Sequence, residues 1–461
     1  MKKGWFNLML TAVLSLVLAG TAYAFSFDFH GKMWQVVGVT DNYGAMAPNQ
    51  KSGKTDYFSY NGELNKKGME KDDDGNTLLY NAMSDNDNAT FGLTKARLRF
   101  EGTTDDGLAK VVYGLEVGTY NWGDKDKKFG LSGDGTNQET RFAYAEVVMP
   151  VIGGKVRAGL QPTKINHWVW TETAPGLTYH CDFGTWKTMA GWYRGEDDTT
   201  ANIEGDNDYF VIKADNKLNT NTTLGFFGIY TDLDKIETSL VDEYDGEYYY
   251  LGLTGKYNKG ALFGDFDFIY QGGDIDFDDT TIDDLDRSAW LGNLTVGFKV
   301  SDKFKISGNI LYVSGDDDAN DDDAENFDAI DVDVKIGTIF FKDSIMADCD
   351  RFISDAPYIL DKGLINYALQ GEYQINGKNY LRAAVRYLMT AEDLELKLNE
   401  SDDDLGYEFD LWYAYTLNKH VDLIIDAAYL VAGDGADHLA ENDNYDSDDL
   451  YKLAAGIKIS F

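Results

Sequence analysis

Over most of its length the chain is written in a two-residue period. Residues 451–461, YKLAAGIKISF, set Tyr451, Leu453, Ala455, Ile457, Ile459 and Phe461 against Lys452, Ala454, Gly456, Lys458 and Ser460. Such alternation marks a β-strand with one apolar and one polar face. It recurs in 405–417, where Leu405, Tyr407, Phe409, Leu411, Tyr413, Tyr415 and Leu417 oppose Glu408 and Asp410. It recurs again in 421–432, where Val421, Leu423, Ile425, Ala427, Tyr429 and Val431 oppose Asp422 and Asp426. Only Asn418, Lys419 and His420 lie between these two runs, a hairpin-length connection.

Nineteen segments follow this plan: 25–38, 92–102, 108–120, 139–149, 155–161, 177–183, 186–194, 208–215, 223–230, 247–257, 261–271, 289–300, 303–313, 329–340, 364–375, 380–391, 405–417, 421–432 and 450–461. Short turns (103–107, 150–154, 258–260, 301–303, 376–378) alternate with long polar stretches (40–91, 121–138, 231–246, 272–288, 314–328, 392–404, 433–448). That asymmetry predicts an all-β fold, a transmembrane antiparallel barrel with short periplasmic turns, long acidic extracellular loops and an aqueous lumen. A closed barrel also removes the unpaired strand edges that lipid would penalise. Single-chain bacterial barrels have an even number of strands, so one of the nineteen must fail. The weakest region is 329–363, where an alternating run meets an irregular stretch containing Cys349 and Pro357. The expectation is sixteen to eighteen strands.

The N-terminus adds a compartment. Lys2 and Lys3 precede the apolar run Leu8–Gly20 and then Ala22-Tyr23-Ala24, a secretory signal pattern that predicts cleavage before Phe25. Residues 1–24 are read as the signal peptide and 25–461 as one barrel domain, because only five prolines and no linker interrupt the pattern. A formal net charge of −38 disfavours nucleic acid as a partner. Aromatic residues make up 14% of the chain, which argues against acidic disorder. Two cysteines, Cys181 and Cys349, are too few for a disulfide framework, and whether they pair is left open. No His-Glu-x-x-His or Gly-x-Ser-x-Gly occurs, and "GKT" at 53–55 lacks the first glycine of a phosphate loop, Pro48 standing there. No enzyme activity is expected.

Two stretches carry a resemblance. ARLRFEGTTDDGLAKVVYGLEVG (96–118) resembles the second and third strands of Gram-negative homotrimeric diffusion porins, and TRFAYAEVVMPVIGGKVRAGLQP (140–162) is similar to their fourth and fifth. The resemblance implies three barrels per assembly and a third extracellular loop folded into the pore, here 162–175. It also implies a setting among outer-membrane lipid and lipopolysaccharide, and assembly machinery that recognises the terminal Phe461. Trp168 and Trp170 in that loop either press against the barrel wall or pack between subunits.

On the polar face of 92–102 lie Lys95, Arg97, Arg99 and Glu101. Arg or Lys on a lipid face costs roughly 2–4 kcal/mol near the midplane, so these residues are assigned to the lumen. Lys155, Arg157, Arg382 and Arg386 follow the same rule. The resemblance implies that Arg97, Arg99 and Arg157 form a basic patch facing the inserted loop, whose one acid is Glu172. The other reading has these arginines pairing with lumen carboxylates merely to satisfy charge. Residues 314–328 hold eight carboxylates. Asp316, Asp317, Asp318, Asp321, Asp322 and Asp323 either bind Ca²⁺ or Mg²⁺ weakly or only solvate the mouth, biasing entry toward cations within about 8 Å. No other cofactor is expected. The sequence thus points to passive diffusion of small hydrophilic solutes and ions, limited in size by the inserted loop and filtered by lumen charge. Trp122 and Trp168 are candidates for a substrate track. The alternative is a closed structural barrel whose acidic loops bind divalent cations.

Overall fold

The computed structural model describes residues 25–41, 89–123, 138–195, 207–236, 244–277, 284–318, 321–344, 353–397, 400–439 and 449–461. The strands are β1 (Phe25–Asp41), β2 (Ala89–Thr104), β3 (Ala109–Asn121), β4 (Gln138–Val148), β5 (Lys155–Pro162), β6 (Thr173–Phe183), β7 (Trp186–Arg194), β8 (Asn207–Lys217) and β9 (Thr222–Ile236). They continue as β10 (Tyr244–Lys259), β11 (Leu262–Phe277), β12 (Leu285–Lys299), β13 (Phe304–Val313), β14 (Asp323–Ala324), β15 (Leu364–Asn376), β16 (Asn379–Lys397), β17 (Glu400–Asn418), β18 (Val421–Ala432) and β19 (Leu450–Ser460). All but β14 form one antiparallel sheet, each strand paired with its neighbours in sequence, and β19 pairs with β1 from Lys32↔Ser460 to Asp41↔Tyr451. The sheet is therefore a closed barrel of eighteen strands. β14 only touches β12, in parallel. Among the described residues no helix is long and apolar enough to cross a membrane.

Alternation sets the two faces. In β19, Leu453 and Ile457 are 48% and 44% exposed on the outside, whereas Lys452 and Ala454 are 3% and 1% exposed within. The same outward apolar band runs through Leu251 and Leu253, Phe266 and Phe268, Leu294 and Val296, and Phe409 and Leu411. Phe461 closes the ring: its N–H donates to the Gly31 carbonyl at 3.0 Å, and the Gly31 N–H donates to the Phe461 carbonyl at 2.8 Å.

Eighteen of the nineteen segments expected from the sequence are barrel strands. The nineteenth, 329–340, is not. It belongs to the long connection from β13 to β15, which lies inside the barrel. Its alternation is real, since Val332, Val334 and Ile336 are 1%, 2% and 3% exposed, but the surface they meet is the inner apolar core. The stretch 392–404, expected as a loop, is largely strand, because β16 runs to Lys397 and β17 starts at Glu400. Leu405, assigned to the outer face, turns inward. The pairing register shifts between Leu388↔Gly406 and Met389↔Asp404, and this bulge rotates Leu405 into the core.

Candidate channel lumen

The lumen has two unlike halves. Toward the long-connection end, inward residues of β7–β13 and β15–β19 are mainly apolar, among them Tyr193, Ile229, Tyr250, Ile269, Leu291, Leu311, Leu388 and Leu430. They pack in one cluster with Ile339, Phe340, Phe341, Tyr358 and Ile359 from the β13–β15 connection, and with Ile165, Val169 and Trp170 from the β5–β6 connection. Toward the short-turn end the inward face is charged and cavities open.

The β13–β15 connection docks at each side of this core. On one side Arg287 of β12 donates to the Asn326 carbonyl at 2.9 Å, the Tyr250 hydroxyl donates to the Asp328 carbonyl at 3.2 Å, and the Asp328 N–H donates to Gln271 Oε1 at 2.8 Å. On the other side the backbone N–H groups of Thr338, Ile339 and Phe340 all donate to the Glu408 carboxylate of β17. Gly337 permits this approach, because a Cβ there would lie 2.7 Å from Glu408 Oε2. Asp343 accepts from Arg382 at 2.8 Å and Arg386 at 3.4 Å, and Trp412 Nε1 donates to the Asp343 carbonyl at 2.8 Å. Ser344 donates to Asp426.

The β5–β6 connection, Thr163–Glu172, lies within the same wall. Trp168 Nε1 donates to Asp267 at 3.2 Å, and Trp170 packs against Tyr193 and Tyr209, with ring centroids 5.0 and 4.8 Å apart. The Thr171 N–H donates to the Asp331 carbonyl at 2.9 Å, and the Ile330 N–H to the Val169 carbonyl at 2.9 Å, so the two inserted segments touch. Trp122, a candidate for the same track as Trp168, is on the other side of the wall. Its ring lies over Gly92 on the outward face, and its Nε1 donates to Thr94.

Of the expected site residues, Arg97 of β2 points inward and binds Glu116 of β3, which also accepts from Lys95 at 2.8 Å and Arg141 at 2.8 Å. Arg141 continues to Glu172 at 3.4 Å, linking wall to insert. Arg99 meets Glu101 at 2.6 Å, and Lys155 and Arg157 share Glu146 at 3.1 and 2.8 Å. Arg382 and Arg386 form the separate cluster at Asp343, where Arg386 also meets Asp410 at 3.1 Å. Glu116, Glu146, Arg141 and Asp343 escaped the sequence reading. Their roles depend on cross-strand register, which alternation does not encode. Lys452, expected in water, is buried and donates to the Thr338 carbonyl at 3.2 Å.

Three cavities line the charged half. One of about 670 Å³ lies beside Lys213, Lys256, Asp265 and His167. A second of about 420 Å³ brings Arg97 and Arg382 together, and a third of about 460 Å³ joins Arg99 to Arg157. Asp316 is buried, while Asp317, Asp318, Asp321, Asp322 and Asp323 are exposed. Among the described residues no three acidic, His or Cys side chains gather to hold a metal ion. Cys181 is a free thiol, and Cys349 lies outside the described residues, as do residues 1–24.

No protein-family model matches the chain, and no curated protein matches it in sequence. Solved structures do match. Pseudomonas aeruginosa OpdL aligns over 95% of this chain and 99% of its own, with a TM-score of 0.53 at 9% identity. OpdQ from the same organism aligns over 94% and 97%, with a TM-score of 0.52 at 11% identity. P. aeruginosa OccK8 (OprE) aligns over 94% and 98%, with a TM-score of 0.50 at 12% identity. The likeness is one of fold. It is that of the eighteen-strand outer-membrane barrel.

Proposed function

We propose that the protein is an outer-membrane channel for passive diffusion of small hydrophilic solutes and ions. The observation that carries this reading is the charged, cavity-lined inner face of β1–β5, apolar on its outside, standing opposite two inserted segments. A closed barrel with an apolar exterior and this much inward charge suits water inside and lipid outside. In this reading the inserts restrict the size of what passes. The paired cations Arg97, Arg99, Arg157 and Arg141, facing Glu172, filter it by charge. Assembly in threes rests on the resemblance of 96–118 and 140–162 alone.

One observation favours the alternative of a closed structural barrel, namely the continuous apolar core that the β13–β15 connection builds across the other half of the lumen. Conductance of the purified protein in a planar bilayer separates the two. Stable open steps support the channel, and closure in thirds supports a trimer. A silent membrane leaves the closed barrel.

A further inference from the structure

The cavity of about 420 Å³ is lined by five cationic side chains, Lys32, Arg97, Lys335, Arg382 and Lys458, and a single carboxylate, Asp343. This is an unusual balance in a chain of net charge −38. Two of the five are committed, Arg97 to Glu116 and Arg382 to Asp343, and Asp343 is further held by Arg386. The other three come from β1, β19 and the inserted β13–β15 connection, and none of them makes an ion pair or side-chain hydrogen bond with a described residue. Asp422 stands opposite Lys458 in the strand ladder, but its carboxylate accepts from Thr416 at 2.8 Å.

Two of the side chains that line it also carry N–H donors that are covered and unpartnered. Trp34 lines the cavity, is only 5% exposed, and its Nε1 donor has no acceptor among the described residues. Arg382 Nε is likewise buried without an acceptor. Buried donors are ordinarily satisfied. Five cations against one carboxylate leave the lining net positive, with Lys32 and Lys335 exposed and Lys458 half-buried, and such a lining suits an acceptor-only ligand of charge −2 or more.

We propose that this cavity is a binding site for a multivalent oxyanion, an inorganic phosphate or the phosphate group of a small phosphorylated solute, clamped between Lys32 and Lys458 of the wall and Lys335 of the insert. The site deepens the channel reading, on which it rests for access by water from the short-turn end. Because Lys335 belongs to the insert, a bound anion would also tie the insert to β1 and β19.

Equilibrium binding to the full-length protein in detergent tests this without requiring conduction. Calorimetric titration with inorganic phosphate at low ionic strength is expected to give one site per chain. Sulfate should compete and acetate should not. Lys32→Ala, Lys335→Ala and Lys458→Ala combined should weaken phosphate about tenfold or more, since a hydrogen bond to a charged group is worth about that factor. Lys335→Ala alone, a change at an exposed side chain of the insert, should weaken it severalfold and covers the case in which the triple variant does not fold. Tighter binding of a hexose phosphate than of inorganic phosphate assigns the site to an organic phosphomonoester, and the reverse order assigns it to the free ion. Acetate competing as well as sulfate, or full affinity in the folded triple variant or in Lys335→Ala, overturns the proposal. A silent bilayer with phosphate binding intact would remove the channel reading and leave the site.

Discussion

Residues 332–336 and 453–459 alternate with the same period and carry the same kinds of aliphatic side chain, yet they lie on opposite sides of the barrel wall. Leu453, Ile457 and Ile459 face outward. Val332, Val334 and Ile336 share the interior cluster with Ile269, Leu311 and Leu430. What separates the two stretches is the backbone. β19 is laddered on both edges, to β18 and to β1, as a strand surrounded by lipid must be. The inserted stretch has no neighbouring strand and finds partners one by one: the Val334 N–H donates to the Asp355 carbonyl, the Lys342 N–H to the Val334 carbonyl, and the Thr338–Phe340 amides to Glu408. Alternation reports that one face is apolar. Only the hydrogen-bond partners decide whether that face meets lipid or a core.

The comparison breaks most sharply at Glu408. Glu408→Ala removes the acceptor of the buried Ile339 and Phe340 amides, leaves the Thr338 amide only its longer contact to Asp410 at 3.3 Å, and leaves Arg386 with one carboxylate fewer beside it. Leaving a buried donor without its acceptor costs about 1–3 kcal/mol per group. The expected result is an insert released while the barrel persists, read as new proteolytic cleavage between residues 329 and 344 with unchanged strand content by circular dichroism. Cleavage no faster than in the parent protein would show that Glu408 does not hold the insert. Gly337→Ala should act in the same direction, more weakly, by pushing its new Cβ against the same carboxylate. On the outer side, Ile457→Arg should destabilise the bilayer-inserted barrel by roughly 2–4 kcal/mol in urea titrations. Ile336→Arg should leave bilayer insertion intact and loosen only the insert. Equal behaviour of the two variants would erase the distinction drawn between the stretches.

The same distinction explains how much of the molecule was legible in its sequence. Strand positions were, because each barrel strand spends its period on a lipid face and a lumen face, and short turns fix where it ends. Residues 329–340 satisfied the same test for a different reason, so they were counted as a strand. Leu405 failed because a one-residue bulge reverses sides without changing composition. Lys452 sits on the inward face as expected but under the insert, which no local pattern announces. Arg97, Arg99 and Arg157 could be placed inward from the cost of charge in lipid. Their partners could not, since Glu116 is brought to Lys95, Arg97 and Arg141 by the register of three strands.

A smaller effect lies where the two inserts meet. Asp331, on the insert and not on a strand, has its carboxyl raised to about 7, first by burial and then by Glu172, Asp333 and Asp355, with Lys342 opposing. The ordinary value is 3.8. Between those values the docked segment keeps a proton that a released one would give up. The contact is therefore strongest at acid pH, weakens as pH rises toward 7, and is level above it. Hydrogen exchange at the Thr171 amide, corrected for the intrinsic rate, should lose protection from pH 5 to 7, and Asp331→Asn should flatten the profile. Protection that grows with pH would contradict the assignment.

The smallest effect is expected at the wall. Arg97→Ala leaves Glu116 still held by Lys95 and Arg141, and Arg157→Ala leaves Glu146 still held by Lys155. Each substitution removes one positive charge from the lumen without freeing a carboxylate entirely. Reversal potentials in a salt gradient should shift modestly toward cations in both variants, and further in the double variant, since the two sites belong to different cavities and their effects should add. A Glu146→Gln change should move the potential the other way, because Lys155 and Arg157 would then face permeating ions without their common partner. An unchanged reversal potential in an open, conducting protein would mean that these guanidinium groups serve only to neutralise Glu116 and Glu146. Ions would then take a path along the insert, past Glu172 and the acidic residues beside Asp331.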